Sequence, residues 1–175
     1  MSRPVPPSAA LPIARTVLRI LIVANWLWGA AILVLLIAMP NRQWIMSAFD
    51  LSPSPDTEQV ITGMRVIAAL GLFMIALHYG ILRRLLAIVE TVRASQPFVA
   101  ANARRLQAIA WLLFTLQLLS IVIGALAKSI SSPAHPFRLD AGFSINGWLG
   151  VILTFLLARV FAEGTHMRED LEGTV

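Results

Sequence analysis

Few side chains in this 175-residue chain are of types that do chemistry, and they are scattered. The three histidines, His78, His135 and His166, fall in three separate regions. They offer no metal-ligand spacing and no second intramembrane histidine for a haem held by two. Cysteine is absent, which excludes disulfides, thiolate metal sites and a thiol nucleophile. No glycine-rich phosphate loop leads into a helix, and no serine sits in a nucleophile elbow. An enzyme would have to draw its acid and base from His135 with Asp140 or His166 with Asp170, which lie in ordinary polar loop and tail sequence. The expectation is therefore a non-enzymatic protein with no metal or cofactor.

The elements that carry these residues are oily. Apolar residues make up 58% and charged residues 13%, and the mean hydropathy is +0.77, which together point away from a soluble domain. Residues 20–39 and 108–127 are uncharged runs of 20 residues. At about 1.5 Å per residue, such a helix covers a hydrocarbon core of about 30 Å. Residues 66–82 and 141–158 are two further uncharged runs, the first of which extends outward to Val60 with Arg65 snorkelling to the surface. The fold expected is all-α: an integral membrane four-helix bundle with spans near 17–39, 60–82, 100–127 and 141–162. Residues 13–171 form the membrane domain. Residues 1–12, with four prolines, read as a disordered lead-in, and 172–175 as a C-terminal tail.

Arginine supplies 13 of the 14 basic residues, clustered beside the apolar runs as topology signals are. The N-terminal segment, the middle connection and the tail hold ten basic residues, and the other two connections hold four. That asymmetry places both termini and the middle connection in the cytoplasm. A soluble basic face suited to nucleic acid is not formed, so direct nucleic-acid binding is not expected.

The connections carry finer signals. Asn41 caps a short interfacial helix through Trp44, Ile45, Phe49 and Leu51, ended by Pro53 and Pro55. Leu85, Leu86, Ile88, Val89 and Val92 are apolar at helical spacing, so the second span continues as a cytoplasmic helix to about Ala94. Ser95-Gln96-Pro97-Phe98 turns the chain. The fourth span continues to about 171, with Arg159 and Glu163 paired one turn apart. Glu163, Glu169 and Asp170 are expected to face arginines of the middle connection. Within the spans, Asn25 and His78 fall at similar depth and form a candidate intramembrane polar pair, one that also leaves room for a pH-responsive or ligand-contacting His78.

Two segments resemble the bacterial membrane family catalogued as domain of unknown function 2975. One is Val92-Arg93-Ala94-Ser95-Gln96-Pro97-Phe98, followed by Asn102 and Arg105-Leu106. The other runs from Leu157-Ala158-Arg159-Val160-Phe161 through Gly164, Met167 and Asp170 to Leu171-Glu172-Gly173-Thr174-Val175. The chain has Ser95 where a glycine is common in that family, and Arg159 where an acidic residue is common. The resemblance implies a small multi-pass protein of the bacterial cytoplasmic (inner) membrane without established activity. It also implies a partner, since members are often encoded beside a small helix-turn-helix transcription regulator. The candidate partner-binding residues are thus Arg93, Pro97, Phe98, Asn102, Arg105, Phe161, Gly164, Asp170 and Glu172. The reading favoured is a regulator that sequesters such a partner at the lipid bilayer, as a monomer or an oligomer. The alternative is a small transporter, channel or accessory subunit for an apolar substrate.

Overall fold

The computed structural model describes residues 10–49, 57–131, 139 and 141–172. Among them every regular element is a helix: α1 (Ala10–Ala38), α2 (Arg42–Ala48), α3 (Thr57–Arg93), α4 (Ala100–Ile130) and α5 (Ile145–Glu172). Four of the five are long and apolar enough to cross a membrane. The chain is a multi-pass membrane protein.

The long helices run antiparallel, and each packs on its neighbour in sequence: α1 on α3, α3 on α4, α4 on α5. No extended contact joins α1 to α4 or α5, so the four stand as an open row. The outer members of the row show it. Only Gly29 of α1 is buried, because its Cα lies against the Ile75 side chain of α3. Val34 and Ile37 of α1 and Leu153 and Leu156 of α5 are more than half exposed. Apolar surface of that extent is stable against acyl chains and not against water.

Two clusters hold the row together. Near one end, Ile45 of α2 is fully buried among Met39, Val60, Ile61, Met64 and Ile130. Asn41 caps α2 by accepting from the Trp44 N–H at 3.2 Å, and the helix runs to Ala48 with Phe49 as its C-cap; Leu51 lies outside the described residues. Pro53 and Pro55 lie outside the described residues. Arg65 donates to the Met39 carbonyl at 3.1 Å, satisfying an orphan acceptor at the end of α1. Towards the other end, Ile81, Ile109 and Leu116 pack between α3 and α4 with Leu77, Leu85 and Leu112 around them.

Two boundaries differ from expectation, and the end of α3 meets it. Helix α1 begins at Ala10, so Pro12 lies in its first turn, where a missing N–H costs no helical bond. The rest of the lead-in, like residues 173–175, lies outside the described residues. Helix α3 ends at Arg93 as a single 37-residue rod, about 55 Å long at the standard rise, and so overreaches the hydrocarbon core. Helix α5 begins at Ile145, four residues after the apolar run opens. Gly142, at φ +136°, breaks the backbone there, and the Ser144 hydroxyl accepts from the Gly147 N–H at 3.2 Å as an N-cap.

Candidate functional site

The start of α1, the α3–α4 hairpin and the last turns of α5 gather at one end of the row, called here the basic end. Its turn is built from backbone bonds. The Gln96 N–H donates to the Thr91 carbonyl and the Ser95 N–H to the Val92 carbonyl, each at 3.0 Å, a Schellman closure of α3. Such a closure needs a left-handed residue, and Ser95 supplies it at φ +58°. A glycine would enter that region without steric cost.

Asn102, three residues into α4, is fully buried and ties the hairpin shut. Its Nδ2 donates to the Thr91 hydroxyl at 2.7 Å and to the Pro97 carbonyl at 2.9 Å. Its Oδ1 accepts from Arg105 at 2.8 Å. Thr91 in turn donates to the Ile88 carbonyl at 2.7 Å, and Arg105 reaches the Ala87 carbonyl at 3.4 Å. Both amide protons and the oxygen of Asn102 are used, so one side chain joins α3, the turn and α4.

An ion-pair chain flanks this knot. Glu90 forms ion pairs with Arg15 of α1 at 2.7 Å and with Arg93 at 3.1 Å. Glu90 is the one acidic residue between Glu58 and Asp140 in the sequence, which could have marked it as the partner of a basic neighbour. The tail acid expected to face the hairpin arginines behaves differently. Glu163 pairs with Arg159 on its own helix at 2.6 Å, because a one-turn partner is within reach without any tertiary fit. The side chains of Glu169 and Glu172 lie outside the described residues; Asp170 is exposed near the end of α5.

What joins the hairpin to α5 is aromatic. The Phe98 ring lies 5.4 Å from that of Phe161, centroid to centroid, and covers Gly164, where a Cβ would meet the ring at 3.0 Å. Thr165, buried beside them, donates to the Phe161 carbonyl at 2.8 Å. Pro97, Phe98, Asn102, Arg105, Phe161 and Gly164 thus form one unit, with Arg93 at its edge.

These are the residues that carried the family resemblance. Residues 52–175 match the model of a family described as a protein of unknown function, DUF2975. The chain belongs to that family. No curated protein and no solved structure matches it. The DUF2975 match takes in α3, α4 and α5, so the Asn102 knot and the Phe98–Gly164 contact lie inside the family region, while α1 and α2 lie before it.

Two grooves open on this framework. Between α1 and α3 lies an apolar one of about 650 Å³, lined by Trp28, Ile32, Met74 and Ile75 together with Asn25 and His78. The two polar side chains share the groove but do not bond to each other. Asn25 donates to the Ile75 carbonyl at 3.1 Å, and His78 Nδ1 lies 2.8 Å from the Met74 carbonyl one turn back. A backbone carbonyl within one turn satisfies His78 without a cross-helix partner. The second groove, of about 470 Å³, lies between the basic-end halves of α4 and α5. Among the described residues no group of three metal-ligating side chains converges. His135 and Asp140 lie outside the described residues.

Proposed function

We propose that this chain is a non-enzymatic protein of the bacterial inner membrane whose hairpin and C-terminal turns form one docking unit for a cytoplasmic partner. In this reading both termini and the 92–105 hairpin face the cytoplasm, consistent with the ten-to-four excess of basic residues on that side. The single observation that carries the reading is the Phe98 contact, which unites two sequence-distant segments into one surface. Loops held on a rigid scaffold are where recognition is commonly placed. The partner in this reading is the small helix-turn-helix regulator that family resemblance implies, held at the membrane and away from its targets. Co-purification of the full chain with that regulator in mild detergent tests it. Retention is expected for the wild-type chain and loss for Phe98→Ala and Gly164→Leu. Absence of association by the wild-type chain, with and without the segment after Glu163, overturns it. A reporter fused after Val175 tests orientation independently.

A second reading, a small transporter or accessory subunit for an apolar substrate, is favoured by the α1–α3 groove with its two polar side chains. Flux of an apolar dye across liposomes carrying the purified chain, compared with Asn25→Leu, decides that one.

A further inference from the structure

The groove between α4 and α5 has a graded lining. Ala100, Ala103, Ala158 and Ala162 present almost no side chain, and that is what leaves the space open between the two helices. Phe155 forms the wall toward the middle of the membrane-spanning stretch, and Trp111 stands on it edge to face at 5.3 Å. Toward the basic end the lining turns cationic and polar, with Arg104, Gln107, Arg159 and His166. Arg159 is tied to Glu163 at 2.6 Å, which holds its guanidinium at the rim. Arg104 and Gln107 are exposed and make no hydrogen bond or ion pair among the described residues. The first turn of α4, whose Val99 cap provides no side-chain acceptor, adds the positive end of a helix dipole.

An arginine left unpartnered beside a cavity matches a phosphate, because its planar donors accommodate two phosphate oxygens at once. The apolar wall continues the same cavity into the stretch where α4 and α5 carry no charge, which a small soluble anion has no use for. We propose that this groove binds an anionic phospholipid: its phosphate sits between Arg104 and Arg159 with Gln107 donating beside them, and an acyl chain runs along Ala158 and Phe155 toward Trp111. The groove adjoins the Phe98 docking unit at Thr165, and the proposal holds whether or not that unit binds a protein.

The test uses Trp111 as reporter. The full chain, with Trp26, Trp28, Trp44 and Trp148 replaced by Phe, is placed in phosphatidylcholine vesicles containing a small fraction of brominated phosphatidylglycerol or, in parallel, brominated phosphatidylcholine. The anionic lipid is expected to quench Trp111 several-fold more strongly at equal content. Each arginine near a membrane surface contributes about fivefold to anionic-lipid affinity, so Arg104→Gln lowers the preference by about that factor. Arg104→Gln with Arg159→Gln abolishes it. Arg83→Gln, on α3 and outside the groove, leaves it intact. Native mass spectrometry of the chain with all five tryptophans checks the same ranking without the reporter substitutions. Equal quenching by the two lipids, an undiminished preference in the double variant, or an equal loss in Arg83→Gln overturns the proposal. Loss of the preference on adding inorganic phosphate at constant ionic strength assigns the site to a soluble anion and overturns the lipid.

Discussion

The two ends of α4 each meet a stretch of non-helical backbone, and they handle it differently. At the basic end the turn after α3 closes on its own Schellman bonds, and Asn102 adds three more from a fully buried amide. Gln96 and Ser95 are exposed there, so water serves whatever the protein leaves open. Near the other end, Ala141 and Gly142 lie against the uncharged run of α4, where water is scarce. One hydroxyl does the work: Ser120 donates to the Gly142 carbonyl at 3.2 Å and accepts from the Gly142 N–H at 3.1 Å. The backbones must come close for this, and Gly124 permits it; a Cβ there would lie 2.6 Å from the Ala141 carbonyl oxygen. Irregular backbone at membrane depth is tolerated only when protein covers it and supplies its hydrogen bonds. The comparison teaches that the basic-end joint is held by polar side chains and the other by a missing side chain.

If that is so, steric change should hurt most where the missing side chain matters. Gly124→Val drives two methyls into backbone that has no rotamer to change, and overpacking of this kind costs about 3 kcal/mol. Thermal unfolding in detergent should show Gly124→Val as the most damaging of the variants considered, with α4–α5 opening first in hydrogen exchange. A loss below that of the polar variants would show that the joint is not held by close approach. Next comes Asn102→Ala, which strips partners from the Pro97 carbonyl, Thr91 and Arg105 at once; about 2 kcal/mol is expected for a buried amide of this kind. Limited proteolysis between Ala94 and Val99 should accelerate, while the far joint stays protected. Ser120→Ala should cost less, about 1 kcal/mol, because interhelical hydrogen bonds in membranes are individually weak. Its diagnostic is location: exchange should rise at Gly142 and leave the basic end unchanged.

The same comparison explains what the sequence could disclose. The uncharged runs, the Asn41 cap and the turn at residues 95–98 were legible because each depends on neighbours within a few positions. The Arg159–Glu163 pair was legible for that reason too. The start of α5 was not, since Ala141-Gly142-Phe143 counts as apolar, and the hydroxyl that bonds Gly142 in its non-helical conformation belongs to a serine on α4 more than 20 positions away. Ser144 as an N-cap was the readable cue. Asn102 and Phe98 were marked by resemblance, but their partners, Thr91 and Gly164, follow only from how helices lie side by side. The groove at Arg104 was hidden for a further reason: alanines create it, and alanine spacing is as common in tightly closed interfaces as in open ones. Helical periodicity assigns a face to a residue without saying whether a neighbour, lipid or a ligand covers it.

The smallest effect tests the basic-end turn itself. Ser95 holds a left-handed conformation at φ +58° that costs a residue with a Cβ about 1–2 kcal/mol. Replacing it by glycine removes that cost but gives the unfolded chain extra freedom, worth about 0.5–1 kcal/mol in the other direction. The two nearly offset, and steric relief is the larger, so Ser95→Gly should stabilise the chain by about 0.5 kcal/mol. Ser95→Val should go the opposite way, because a β-branched residue resists the left-handed region more than serine does. The contrast between the two variants in thermal unfolding is therefore more informative than either alone. Equal stability of the glycine and valine variants would mean that the turn relaxes out of its Schellman geometry, leaving the hairpin to be held by Asn102, Arg105 and the packing of α3 on α4.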